Sequence, residues 1–200
     1  MIAWFYDLSK LCVNTTARML WRATATGTEH VPSTGPLIVA CNHVSYLDPP
    51  VMGSFCPRRI SYMAKRELFV IPILGPTIAA LGAYAVDRHG SATAAIKQSL
   101  RVLQAGGAVG IFPEGTRNRT GAVTPQTGVA LLASLADAPV VPVAICGSDR
   151  AWHFSRIRVA FGRPLALPAG RKATRDDLAK FTSEIMNAIG ALSRGTGGDT

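Results

Sequence analysis

Leu37-Ile38-Val39-Ala40-Cys41-Asn42-His43-Val44-Ser45-Tyr46-Leu47-Asp48-Pro49-Pro50 is the stretch on which the reading of this chain turns. Its first four residues are continuously apolar, the mark of a strand covered on both faces. Asp48-Pro49-Pro50 reads as a helix start, with a capping carboxylate and proline in the first turn. Between strand and helix lies a loop, and loops of this kind carry the active sites of α/β sheets.

Outward from this unit the pattern repeats. Ile60-Ser61-Tyr62-Met63, Ala83-Tyr84-Ala85-Val86, Ala108-Val109-Gly110-Ile111-Phe112 and the run from Val140 to Ile145 read as buried strands. Ile157, Val159 and Phe161 alternate with polar neighbours, as in a half-exposed strand. Ser91 to Gln104 reads as a helix with Ile96, Leu100 and Leu103 on one face and Gly106 as its stop. Thr174 and Asp177 suggest a capping box for a last helix, whose inner face is Leu178, Phe181, Ile185, Ile189 and Leu192. Strands alternating with helices predict an α/β fold: a single layered domain with a mixed, largely parallel sheet flanked by helices.

Trp4, Phe5, Leu8, Leu11, Cys12, Thr15 and Met19 recur at helical spacing, with Lys10, Arg18 and Arg22 among or after them. Such a helix either lies in a membrane interface or packs on its own domain, and its pattern leaves both open. The expected organisation is an amphipathic helix over 1–22, a catalytic domain over 23–194 and a flexible tail over 195–200. Asp7 and Lys10 interrupt the apolar N-terminus, which is unlike a cleavable signal peptide. The uncharged stretch from Phe69 to Val86 approaches bilayer-crossing length, but Pro72, Gly75, Pro76 and Gly82 break it. It is expected to be buried or interfacial rather than transmembrane.

With 200 residues the chain is most simply one domain. It is 48% hydrophobic and only 16% charged, against roughly a quarter charged in ordinary soluble domains. A net charge of +9 favours an anionic partner: an acidic membrane, a phosphorylated ligand or nucleic acid. Cys12, Cys41, Cys56 and Cys146 sit apart in apolar stretches, so buried reduced thiols are expected rather than disulfides or zinc ligands.

The chemistry gathers in two stretches. In the first, Asp48 can hold one imidazole nitrogen of His43, fix its tautomer and leave the other nitrogen as a base. Ser45 is a poor nucleophile candidate, because it stands two residues from His43 and the chain has no G-x-S-x-G elbow. The second stretch is Phe112-Pro113-Glu114-Gly115-Thr116-Arg117. It is superficially like a P-loop, but Thr116 stands where the lysine must be, which argues against a nucleotide hydrolase. Gly115 permits a tight turn, and Arg117 offers a planar donor fork for phosphate. Glu114 either orients Arg117, binds a substrate hydroxyl or makes a structural salt bridge. Lys65 and Arg88 follow apolar strands, and in a parallel sheet these ends converge on one rim as an anion pocket.

These residues together resemble the glycerolipid acyltransferases, most closely the 1-acylglycerol-3-phosphate acyltransferases. Asn42-His43-x-Ser45-x-x-Asp48 is similar to their first block, the H-x4-D signature. Gly82 to Arg88, Phe112 to Arg117 and Val141-Pro142-Val143 are similar to the second, third and fourth, and Ala64-Lys65-Arg66-Glu67-Leu68 to a basic segment of the family. The likeness covers about residues 25 to 165. It departs at Ala85 and Val86, where bulkier residues are common, and at Asn118, where serine often follows the arginine.

The resemblance implies acyl transfer from acyl-CoA or acyl carrier protein to lysophosphatidic acid, with His43 as base and Asp48 orienting it. It implies that Arg117, Arg88 and Lys65 bind the acceptor phosphate, and that Glu114, Gly115 and Thr116 bind substrate or shape the turn. No metal or redox cofactor and no nucleic acid partner are expected. The expected setting is an anionic membrane surface, with the chain peripheral or monotopic on the cytoplasmic face. The alternatives are a sibling enzyme acting on glycerol-3-phosphate or another lysolipid, and a non-catalytic basic module that binds membrane or nucleic acid.

Overall fold

A computed structural model of the chain describes residues 1–86, 92–117, 126–168 and 173–196. Seven strands form one sheet: β1 (Thr24–Thr26), β2 (Leu37–Cys41), β3 (Ile60–Lys65), β4 (Tyr84–Val86), β5 (Ala108–Ile111), β6 (Val140–Cys146) and β7 (Arg158–Phe161). Their order is β1-β7-β6-β2-β5-β3-β4. Strands β2 to β6 run parallel, while β7 is antiparallel to β6 and β1 is parallel to β7. The sheet is thus mixed and largely parallel, as the alternation of elements predicts.

Among the described residues six α-helices flank it: α1 (Ala3–Trp21), α2 (Asp48–Phe55), α3 (Leu74–Ala80), α4 (Ala92–Gln104), α5 (Gly128–Ala136) and α6 (Arg175–Thr196). Side chains alternate across a strand, and the two halves of the core follow that alternation. Leu37, Val39 and Cys41 of β2 pack with Ala17 of α1 and Val51, Met52 and Phe55 of α2. Ile38 and Ala40 pack with Leu103 of α4, Val129 and Leu132 of α5, and Phe181, Ile185 and Ile189 of α6. All five residues of β2 are buried, which is why its sequence is continuously apolar.

The capping box of α6 forms: Thr174 N–H donates to Asp177 Oδ2 at 2.9 Å and Asp177 N–H to Thr174 Oγ1 at 3.2 Å. The helix runs to Thr196, and residues 197–200 of the expected tail lie outside the described residues.

Two expectations need correction here. β7 is not half-exposed: Val159, Ala160 and Phe161 are all buried, because helix α6 packs along β6 and β7. Cys12 is exposed rather than buried, whereas Cys41 and Cys56 are buried; all four thiols are free. The choice that the sequence left open for α1 is also decided: its periodic stripe faces outward. Trp4, Leu8, Leu11 and Met19 are exposed, and the helix packs through Tyr6 and Ala17 instead. The Tyr6 hydroxyl accepts the Ile60 amide at 3.0 Å, and the Asn14 amide donates to the Ser54 carbonyl at 3.2 Å. Helix α1 is therefore fastened to the domain by one face and presents apolar side chains on the other.

The stretch from Phe69 to Val86 becomes a 3₁₀ turn, helix α3 and β4. Among the described residues no helix is long and apolar enough to cross a membrane. Val70, Ile71, Ile73 and Leu74 in this stretch are nevertheless exposed.

Candidate active site

Parallel β5, β2 and β6 lie side by side, so the segments that follow them emerge on one rim. His43 follows β2, Glu114 follows β5 and Ser148 follows β6. This is the edge where open α/β sheets place their sites.

His43 Nδ1 lies 2.9 Å from Asp48 Oδ2. A carboxylate oxygen accepts, so in the neutral imidazole this contact assigns the hydrogen to Nδ1 and the lone pair to Nε2. The imidazole stacks on Phe112 with ring centroids 4.2 Å apart, which fixes its plane. Asp48 is fully buried, and its side chain is saturated with donors. Oδ2 also accepts the amides of Val44 and Ser45, each at 2.7 Å. Oδ1 accepts the Ser148 hydroxyl at 2.6 Å.

Asp48 does not cap helix α2 as expected; Leu47 holds the cap position and no side chain caps the helix. The reason is chemical. Pro49 and Pro50 have no N–H to offer, and the Val51 amide is already bonded to the Leu47 carbonyl at 2.9 Å. Lacking donors ahead of it, the carboxylate turns back onto the loop that carries His43. Ser45 accepts the Leu47 amide through its hydroxyl at 3.3 Å, a loop-shaping contact rather than a link to His43.

The second stretch is joined to the first. The Gly115 amide donates to the Phe112 carbonyl at 2.9 Å, closing a tight turn, and Gly115 has a φ of +66° that suits glycine. Glu114, buried in that turn, accepts the His43 amide on Oε2 at 2.9 Å. Arg117 leaves the turn and places its guanidinium 3.6 Å from the ring centroid of Tyr46, inside the His43 loop. Thr116 and Arg117 are exposed at this edge. Lys65 ends β3, on the same rim but separated from β2 by β5. Arg88 lies outside the described residues.

Asn42 and Ser148, like Tyr46 beneath Arg117 and Phe112 against His43, have site roles that the sequence does not reveal. The Asn42 side chain takes both backbone groups of Ile145, accepting its N–H at 2.8 Å and donating to its carbonyl at 2.9 Å. That clamp holds the His43 loop against the end of β6. Ser148 stands 100 residues from its partner Asp48, so no local spacing announces it. The nearest sequence signal is Gly147, whose φ of +85° turns the chain back toward the rim.

A cleft of about 270 Å³ lies elsewhere, lined by Asp137, Pro139 and Asp177 among others. It adjoins the N-terminal end of β6, the far edge from His43, and its acidic lining suits no anionic substrate. The rim, not this cleft, has the chemistry.

Residues 22–146 match the family model described as Acyltransferase. The chain is 32% identical over 169 residues to the 1-acyl-sn-glycerol-3-phosphate acyltransferase of Bacillus subtilis, covering 82% of this chain and 84% of that one. It is 34% identical over 179 residues to the human 1-acyl-sn-glycerol-3-phosphate acyltransferase alpha, covering 84% of this chain and 62% of that one. Against the chloroplastic enzyme BAT2 of Brassica napus it spans only 56% of the longer protein. The crystal structure of the 1-acyl-sn-glycerophosphate acyltransferase PlsC from Thermotoga maritima has the same fold, with a TM-score of 0.71 over 93% of this chain and 77% of that one at 23% identity. The family model spans the rim residues His43, Asp48, Glu114 and Arg117, and on these findings the chain belongs to the acyltransferase family.

Proposed function

We propose that this acyltransferase moves a fatty acyl group from a thioester donor, acyl-CoA or acyl carrier protein, to the free hydroxyl of lysophosphatidic acid, giving phosphatidic acid. The observation that carries the reading is the His43 Nδ1–Asp48 contact of 2.9 Å, which leaves Nε2 as a base on the rim. Relatives named for this reaction support the choice of acceptor.

In the reaction His43 Nε2 takes the hydroxyl proton as the acceptor oxygen attacks the thioester carbonyl. A C–O bond forms, the C–S bond breaks, and the proton passes from the imidazolium to the departing thiolate. Asp48 steadies the imidazolium while it exists. Arg117, with Arg88 and Lys65, binds the acceptor phosphate, and the turn at Glu114, Gly115 and Thr116 holds Arg117 beside the loop. A thioester is already activated toward an alcohol, so the step requires no metal or redox cofactor.

The acceptor is a lipid, so the rim works at a bilayer surface. The outward apolar stripe of α1, with exposed Arg18 and Arg22 at its end, supports peripheral attachment to an anionic membrane. Lys10 is instead taken up by the Cys56 carbonyl. The side we assign is the cytoplasmic face, where thioester donors are made. Mass spectrometry of the products from purified protein, palmitoyl-CoA and a panel of acceptors tests the reading. Phosphatidic acid from lysophosphatidic acid is expected. Product from glycerol-3-phosphate alone would assign the sibling reaction, and no acylated product from any acceptor would remove the enzymatic reading.

A further inference from the structure

The segment that begins with Ser148 has a second end with no role in the chemistry above. It forms a 3₁₀ helix over Ser148–His153, leading away from β6. Trp152 is 94% exposed and Phe154 67% exposed, two large aromatic side chains in water within one short segment. These two side chains, one and three residues after buried Ala151, are not loose ends. The Trp21 indole N–H donates to the Ala151 carbonyl at 2.8 Å, and the Phe154 amide donates to the same carbonyl at 3.0 Å. Phe154 is held at a φ of +54°, a left-handed conformation uncommon for a bulky residue.

The surroundings are basic. Arg150 and Arg156 are exposed in the segment against one acid, Asp149, and Arg18 and Arg22 are exposed at the adjoining end of α1. The outward stripe of α1 also arrives here, at exposed Met19 and Leu20, next to the Trp21 that grips Ala151. A protruding aromatic pair amid arginines, continuous with an apolar helix face, matches the headgroup layer of an anionic bilayer, where tryptophan sits favourably.

We propose that Trp152 and Phe154 form a second bilayer contact, distinct from α1, which inserts into the headgroup region of anionic membranes. The inference rests on the membrane setting proposed above but needs no catalysis. Because Ser148 opens the same segment and holds Asp48, this contact fixes the height of the rim above the lipid. An acidic carrier protein is the rival occupant. The continuity with the α1 stripe favours lipid.

The test uses the full chain, with no acyl donor or acceptor, and vesicles of phosphatidylglycerol and phosphatidylcholine. Trp152→Glu/Phe154→Glu should melt as the wild type does and bind these vesicles at least tenfold more weakly. Should that variant fold poorly, Trp152→Phe is compared with wild type for fluorescence quenching by brominated lipid. The expected result is loss of a quenched component in the variant. Vesicle binding equal to wild type in the folded double variant, or identical quenching with and without Trp152, overturns the proposal. So does a wild type that ignores vesicles, or a variant that binds vesicles as the wild type does and loses only affinity for unacylated acyl carrier protein in a parallel binding measurement. None of these outcomes depends on turnover, so they are separable from failure of the acyltransfer reading.

Discussion

Ser148 Oγ lies 2.6 Å from Asp48 Oδ1, a buried hydrogen bond that joins the end of β6 to the carboxylate holding His43. It completes a cage in which both oxygens of Asp48 are engaged, and it makes Ser148 a positioning residue for the base. A hydrogen bond to a charged group contributes about 1.5–3 kcal/mol. Ser148→Ala should therefore lower kcat by roughly one to two orders of magnitude, with little change in KM for the acceptor. Ser148→Thr, which keeps the hydroxyl, should recover much of the loss. A purely structural role predicts equal losses in melting temperature and activity, and no rescue.

The Arg117–Tyr46 contact makes a second, separable prediction. A cation over an aromatic face is worth about 0.5–2 kcal/mol. Arg117→Ala should raise KM for lysophosphatidic acid and leave kcat nearly unchanged, the pattern for binding felt equally in ground and transition states. Tyr46→Ala should raise the same KM less, because the guanidinium loses its platform but not its charge. Arg117→Lys should rescue in part, since an ammonium cannot reproduce the planar fork. Acceptor kinetics unchanged in Arg117→Ala would remove this residue from the phosphate site.

Much of this arrangement is legible in the sequence because strand ends and short-range pairs leave local marks. The run from Leu37 to Ala40, the five-residue step from His43 to Asp48 and the Gly115 turn can all be read without coordinates. The burial of β7 cannot, because the cover for its outer face comes from α6, far along the chain. The same holds for Ser148 and for the Asn42–Ile145 clamp, which are long-range contacts of short polar side chains. The sequence leaves the direction of α1 open for a different reason. Its strongest apolar period marks the exposed face, while small and polar residues such as Ala17 and Asn14 make the packed one. Periodicity reports a stripe; it does not say what covers it.

That face yields a third prediction. Trp4→Ser/Leu8→Ser/Leu11→Ser should weaken vesicle binding while the melting temperature holds, since these residues are exposed. Deleting residues 1–22 should instead unfold the domain, because it strips Tyr6 from Ile60 and uncovers Val51 and Phe55. Vesicle co-sedimentation and thermal melting of both proteins decide this. A truncated chain with a normal melt would show that α1 is dispensable to the fold.

A fourth prediction concerns alkaline pH. Burial pushes the thiols of Cys41 and Cys56 above their ordinary value of 9.0, with Asp48 and Glu114 adding to the effect at Cys41. Burial also raises the Tyr62 hydroxyl well above its usual 10.0 and the Tyr84 hydroxyl to about 12. A group whose pKa is raised by folding stabilises the native state fully below the unfolded pKa and loses that contribution as pH rises through the folded one. Stability should therefore be level up to about pH 8.5 and fall progressively from there toward pH 12. Melting temperatures from pH 7.5 to 11 check this, and a flat profile would contradict it.

Whether His43 is the base of an acyl transfer is decided by thiol release from acyl-CoA in the presence of lysophosphatidic acid, followed for wild type, His43→Ala and Asp48→Asn at matched folded concentration. Loss of a general base typically costs about 10² to 10⁴ in rate. The wild type should release thiol only with acceptor present, His43→Ala should fall by that factor and melt close to wild type, and Asp48→Asn should show a large but smaller fall. A folded His43→Ala protein that turns over within a few-fold of wild type would contradict it.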